Sequence, residues 1–250
     1  MERMRLKDIS FSSPEDNILY DEVLFALAEE GRIAETLRLW ESPSPFIVLG
    51  RTGKAQDDIH EDVVQARGIP VLRRSSGGGT VVQGPGCLNY SLIVSKASNP
   101  KLDDLRASYR IILAGIIEIL KSLRVHADFR PTSDLVLVDG EKKISGNAQR
   151  RGRTFILHHG TILYDFDLSL IARCLKMPQD IPEYRRSRAH GDFVANAPVS
   201  AASLRQAFCR HFAISEADVA RTPDSAEREI LDQLSRREGL RVAKNPGFCH

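Results

Sequence analysis

Apolar positions recur along this chain with two periods, and the switches between them mark out its elements. Leu19, Val23, Leu24 and Leu27 form one helical stripe. Ser13-Pro14-Glu15-Asp16 supplies the N-cap, a proline at the first helical position and an acidic first turn, and Gly31 ends the helix. Two β-like runs, Thr36–Trp40 and Phe46–Leu49, flank the turn-rich Ser42-Pro43-Ser44-Pro45, which predicts a hairpin. A second helix is predicted over 57–66, then a strand over 71–73, a glycine loop, and strands around 80–82 and 88–94. Residues 103–123 carry the longest helical stripe: Leu105, Tyr109, Leu113, Ile116, Ile117 and Leu120. The alternating block from Asp134 ends in Asp139-Gly140, a turn signal for a hairpin returning through Lys143 to Gln149. A further strand is predicted over 154–164, and helices over 168–176, 200–212 and 226–237. The pattern is mixed α+β.

Composition narrows the class. The chain has 250 residues, 42% of them apolar, with Lys+Arg 35 against Asp+Glu 33 and a net charge of +2. That length buries a substantial core without staples, and so mild a charge does not imply general nucleic-acid binding. The most apolar stretch, 111–120, is interrupted by Gly115 and Glu118 and falls short of the roughly 20 residues of a membrane span. The N-terminus lacks the apolar run of a signal peptide, so the expected location is the cytoplasm. Cys87, Cys174, Cys209 and Cys249 form no CxxC pair and read as reduced thiols rather than zinc ligands or disulfides.

Three segments carry chemistry. Arg73-Arg74-Ser75-Ser76-Gly77-Gly78-Gly79-Thr80 follows a predicted strand. Its glycines let main-chain N–H groups approach an anion, and the arginines bring forked donors, which suits a phosphate. The alternative is a flexible hairpin turn. The loop is neither a Walker loop nor a dinucleotide fingerprint. In Lys143-Ile144-Ser145-Gly146-Asn147-Ala148, strand alternation places Lys143 and Ser145 on one face, beside small residues that leave room for substrate. A lysine so placed stabilises growing negative charge; one near a turn is otherwise solvated. In His158-His159-Gly160-Thr161 the adjacent imidazoles point to opposite faces, so they do not share a metal, and one of them contacts a pocket or is structural.

In this order, the three segments resemble the signatures of the lipoate-protein ligase A family, within the superfamily of biotin and lipoate protein ligases and octanoyltransferases. The arginine-arginine-x-serine-triglycine signature appears at residues 73–79, the lysine-isoleucine-serine-glycine-x-alanine signature at 143–148, and the histidine-histidine-glycine-threonine signature at 158–161. The resemblance covers roughly 13–196. It implies an α+β fold of the class II aminoacyl-tRNA-synthetase and biotin-synthetase type, with a mixed, mainly antiparallel sheet flanked by helices. Residues 1–196 would form the catalytic domain, and 197–250 a short helical extension in place of a full accessory domain.

The reaction implied is ATP-dependent: lipoate is activated as lipoyl-AMP, then passed to a lysine of a lipoyl domain. Lys143 matches the family's essential lysine. Arg74, Ser76, Gly77, Gly78, Gly79, Thr80, Val81 and Val82 match nucleotide and acyl contacts, as do Asp134, Ser145, Gly146, Asn147, His159 and Gly160. Magnesium would arrive with ATP rather than on a protein metal site, and Val81 and Leu88 would line an apolar tunnel for the acyl chain. The partners implied are the lipoyl domains of 2-oxoacid dehydrogenase complexes and the glycine-cleavage H protein, with a separate accessory subunit if adenylation needs one. No membrane or nucleic acid is expected, and the basic segment from Tyr184 to His190 reads as facing an acidic lipoyl domain or as a solvated turn.

The chain departs from the ligase pattern at Gln83-Gly84-Pro85-Gly86, where a histidine-aspartate pair is common, and at Cys87, where asparagine is common. The alternative activity is transfer of octanoyl or lipoyl groups from acyl-carrier protein, or between lipoyl proteins, without ATP. In the cysteine-dependent relatives the nucleophile lies in the loop matching residues 130–134, where this chain has none, leaving Cys87 as the candidate substitute. A second alternative is a non-catalytic ligand-binding homologue.

Overall fold

The structure is a computed structural model that describes residues 4–131 and 133–236. Thr132, Cys249 and the expected helix end at residue 237 lie outside the described residues. In chain order the strands are β1 Arg5–Asp8, β2 Thr36–Trp40, β3 Phe46–Leu49, β4 Val71–Arg73, β5 Val81–Gln83 and β6 Cys87–Ser95, then β7 Ala127–Arg130, β8 Asp134–Leu137, β9 Lys143–Arg151, β10 Phe155–Leu163 and β11 Val219–Ala220. The helices are α1 Pro14–Glu29, α2 Ala55–Asp58, α3 Glu61–Ala66, α4 Leu105–Ser122, α5 Leu168–Cys174, α6 His190–Phe193, α7 Ala201–His211 and α8 Ser225–Ser235.

Eight strands make one sheet in the order β11-β1-β2-β6-β10-β9-β8-β7, and β4-β3-β5 make a second. In the large sheet β1 runs parallel to β2 and β11, and the other pairs are antiparallel. This is the mixed, mainly antiparallel α+β architecture expected. Alternation along β6 sorts its side chains by face. Leu88, Tyr90 and Leu92 enter a core closed by Leu113, Ile116 and Leu120 of α4 and Leu204 and Phe208 of α7. On the other face, Ile93 and Leu157 pack beneath α1, whose Tyr20, Leu24 and Leu27 are buried. Beyond residue 196, α7 supplies side chains to that same core, and β11 pairs with β1.

Several local expectations are revised. The runs Thr36–Trp40 and Phe46–Leu49 are strands but not a hairpin: β2 joins the large sheet and β3 the small one. The helix expected over 57–66 is two short helices, because Ile59 is extended and bridges to Leu175, and the His60 N–H donates to the Cys174 carbonyl at 2.9 Å. Strands β1 and β7, with sequences RLKD and ADFR, carry no apolar run for pattern reading to find.

Candidate functional site

The three signature segments converge on a cavity of about 150 Å³ bordered by residues of both sheets. Of the expected site residues, Arg74, Gly78, Gly79, Thr80, Val81, Asp134, Lys143, Gly146, Asn147, His159 and Gly160 border it. Ser76, Gly77, Val82 and Ser145 are not in its wall; Ser76, Val82 and Ser145 are buried beside it. Leu88 points into the α4–α7 core instead, because it has the opposite parity on β6. Asp21, Trp40, Gln83, Asn89 and Ser91 also border the cavity although they lie outside the three signatures, and Thr161 joins them from the third. The odd parity of Asn89 and Ser91, on a strand whose even positions are apolar, is the sequence signal that points to them.

The hairpin β8–β9 delivers the lysine. Lys143 Nζ lies 2.8 Å from Asp134 Oδ1, both side chains partly buried. Leu135 pairs with Ser145, but Val136 pairs with Lys143, so β9 carries one extra residue there. This bulge breaks strict alternation and re-aims Lys143. It shares the cavity wall with Gly146, not with Ser145 as simple alternation predicts. A Cβ at position 146 would meet Lys143 Nζ at 3.2 Å, so the small residue makes room for the lysine itself.

Asn147 is built into the scaffold. Its Nδ2 donates to the Ser133 carbonyl at 2.8 Å and to Ser145 Oγ at 3.1 Å, and its Oδ1 accepts from the Tyr90 hydroxyl. A Cβ on Gly160 would fall 1.8 Å from that Oδ1, so Gly160 is glycine because Asn147 crosses it. The tether on Ser133 fixes the residue next to Asp134.

The glycine loop uses its cations internally. Arg74 Nη2 donates to the carbonyls of Gly77 and Gly79 at 2.8 Å each, and its Nε to Ser76 Oγ at 3.1 Å. Arg73 Nη1 donates to the carbonyls of Gly50 and Gly53 at 2.9 and 2.7 Å. Burial pulls the Arg74 guanidinium down to about 10, and it stays cationic at neutral pH. These forks shape the loop from within. Ser75 donates to Glu22, which Arg150 also engages, and Thr80 Oγ1 donates to Asp58 Oδ2 at 2.6 Å.

The two histidines separate as the strand geometry requires. His158 is fully buried, stacked near Tyr90 and edge-on to Tyr109, with its Nδ1 3.1 Å from Gln149 Nε2. Burial pushes it down to about 3, so it is neutral at physiological pH. His159 faces the cavity, its Nε2 2.6 Å from Ser76 Oγ and its Nδ1 3.8 Å from Asp21 Oδ2. Asp21 belongs to a buried charge network: Arg38 Nη1 donates to its Oδ1 at 2.7 Å, and Ser91 Oγ donates to its Oδ2 at 2.6 Å. Burial pushes the Asp21 carboxyl up, but Arg38, His159 and Ser91 outweigh it and hold Asp21 below the usual carboxylate range.

Cys87 is buried and does not border the cavity. Burial pushes its thiol well above the ordinary range, with the Glu41 charge adding to the effect.

Residues 13–213 match the family model of the lipoyl protein ligase A/B catalytic domain, and the chain belongs to that family of enzymes. It is 30% identical over 265 residues to an octanoyltransferase LipM of Kyrpidia tusciae, covering 94% of this chain and 95% of that one. Identity to the octanoyltransferase LipM of Brevibacillus brevis is 29%, over 92% and 93% of the two chains. The lipoate-protein ligase LplJ of Bacillus subtilis is 29% identical over 77% of this chain, but only 59% of its own length is matched. Among solved structures, a bi-partite lipoate protein ligase of Thermoplasma acidophilum superposes with a TM-score of 0.75 at 24% identity, covering 94% of this chain and 92% of that one. That likeness shows the shared fold.

These relatives correct the expected main activity. ATP-dependent lipoate ligation is overturned by octanoyltransferases that align along nearly the full length of both chains. No helix among the described residues is long and apolar enough to cross a membrane.

Proposed function

We propose that this chain is an ATP-independent acyltransferase that moves an octanoyl or lipoyl group from the thioester of a carrier protein to a lysine of a lipoyl domain. The observation that carries this reading is the likeness to octanoyltransferases along nearly the full length of both chains, and the cation placed to act is Lys143, which stands at the cavity wall against a single carboxylate oxygen. Acceptors of this chemistry are the lipoyl domains of 2-oxoacid dehydrogenases and the glycine-cleavage H protein. Without an adenylation step, the reaction does not call for an accessory subunit.

The acyl tail lies along Ile18, Trp40, Val48 and Val81, the apolar part of the wall. The acceptor amine attacks the acyl carbonyl beside Lys143, whose ammonium stabilises the tetrahedral oxyanion. A carbon–nitrogen bond forms, the carbon–sulfur bond of the donor thioester breaks, and the amine proton leaves with the departing thiolate.

The test is incubation of the protein with octanoyl-acyl-carrier protein and an apo lipoyl domain without ATP, weighing the acceptor by intact mass spectrometry. An octanoyl gain whose initial rate Lys143→Ala lowers by at least about 100-fold is expected. A gain only with free lipoate and Mg-ATP, or none under any condition, overturns the reading.

A further inference from the structure

We propose that Tyr184 is a positioning residue for Lys143, acting through the Asp134 carboxylate; this rests on the role of Lys143 given above. Asp134 is held from two sides. Its Oδ1 takes Lys143 Nζ at 2.8 Å, and its Oδ2 accepts from the Tyr184 hydroxyl at 2.5 Å. Tyr184 arrives on the one-turn segment Glu183–Arg185, some fifty residues along the chain. The basic segment from Tyr184 to His190 is thus more than a solvated turn. Arg185 is buried over the Phe193 ring, 4.4 Å from its centroid, and Phe193 in turn packs against Tyr184 at 5.4 Å. Arg188 donates to the carbonyls of Gly140 and Glu141, in the turn between β8 and β9, at 3.0 and 3.1 Å. The Ala195 N–H donates to the Lys143 carbonyl at 2.9 Å. The stretch 184–195 therefore grips the lysine's backbone, its hairpin turn and its carboxylate partner.

The chemistry needs such a grip. A carboxylate free to rotate can close on an ammonium with both oxygens and hold it in a tight ion pair that competes with the developing oxyanion. A phenol on Oδ2 leaves one oxygen for the lysine and fixes its direction. Burial and the adjacent Asp134 charge push the Tyr184 phenol above its ordinary range, so it remains a donor at neutral pH.

The test measures steady-state octanoyl transfer for wild type, Tyr184→Phe, Asp134→Asn and the double variant, with Lys143→Ala as control. Tyr184→Phe should lower kcat about 10-fold with KM for both substrates within about twofold, the loss of one hydrogen bond to a charged group. In the Asp134→Asn background the same change should cost less than about twofold, since the two act through one contact. Incorporating 4-aminophenylalanine at 184, which keeps a donor in place, should restore kcat to within about threefold of wild type, and it decides the matter if the Phe variant does not fold. An unchanged kcat in Tyr184→Phe, equal losses in both backgrounds, or no rescue overturns the positioning role. Transfer absent in wild type, or undiminished in Lys143→Ala, instead overturns the role of Lys143 and the proposal with it.

Discussion

The glycine loop and the lysine hairpin border one cavity, and both present cations that look chemical in the sequence, yet they use them in opposite ways. Arg73 and Arg74 direct their forks at backbone carbonyls of residues 50–53 and 77–79. Lys143 meets one oxygen of Asp134 and keeps the rest of its ammonium at the cavity wall. A guanidinium with five planar donors can organise a loop that lacks side chains, whereas a three-donor ammonium paired once retains donors for a ligand. Positive charge beside a glycine run is therefore as much a folding device as a binding one.

The largest effect that sharpens this comparison is on the hairpin. Lys143→Ala should lower kcat by about 10² to 10³, the usual cost of losing an oxyanion donor, while barely changing the melting temperature. Initial rates and a thermal scan on the same preparation check both halves. A large loss of stability with this variant would place Lys143 among the scaffold residues and break the contrast.

The loop should respond in stability before rate. Arg74→Lys removes the fork and strands the carbonyls of Gly77 and Gly79, which should cost about 2–4 kcal/mol by denaturant unfolding. Gly50→Ala tests the same packing from the opposite side, because its Cβ would fall 2.0 Å from the Gly78 carbonyl oxygen. Arg74→Lys at full stability but without activity would return the arginine to ligand binding.

Which features are legible in the sequence follows from what each residue needs. Helix α1, strands β2, β3 and β4, and the long helix α4 are readable because a cap, a proline or a sustained period announces them. Strand parity alone separates His158 from His159. The bulge that turns Lys143 toward Gly146 is not readable, since it arises from register with β8. Nor is the contact of Tyr184, whose hydroxyl reaches a residue fifty positions away. Arg38 is hidden too: it reads as a polar interruption in a short strand, yet it is fully buried against Asp21.

The histidine pair offers a smaller effect, read through pH. His158 is held near 3 in the folded chain against about 6.5 when unfolded, so between those values the unfolded state binds the extra proton. This contribution to stability is whole above pH 6.5 and is lost as pH falls, at about 1.4 kcal/mol per pH unit. Urea unfolding from neutral pH down to about pH 4.5 should show that slope, and His158→Phe should flatten it. His159, at the cavity wall beside Ser76, belongs to the site, and His159→Gln should act on rate more than on this slope.

The smallest expected effect concerns the thiol. Cys87→Ala should leave the octanoyl transfer rate within about twofold of wild type and cost about 1 kcal/mol of stability, the value of a small buried side chain and its contact with Gln83 Oε1 at 3.2 Å. The reason is position before reactivity: Cys87 is buried outside the cavity wall, and burial keeps its proton on, so neither encounter with an acyl donor nor attack on it is provided for. Acid quenching during turnover, followed by intact mass of the enzyme, should find no octanoyl adduct. An adduct in wild type that disappears in Cys87→Ala together with turnover would mean that β6 moves to open the thiol. The division between a scaffold and a single working lysine would then give way to a cysteine–lysine pair.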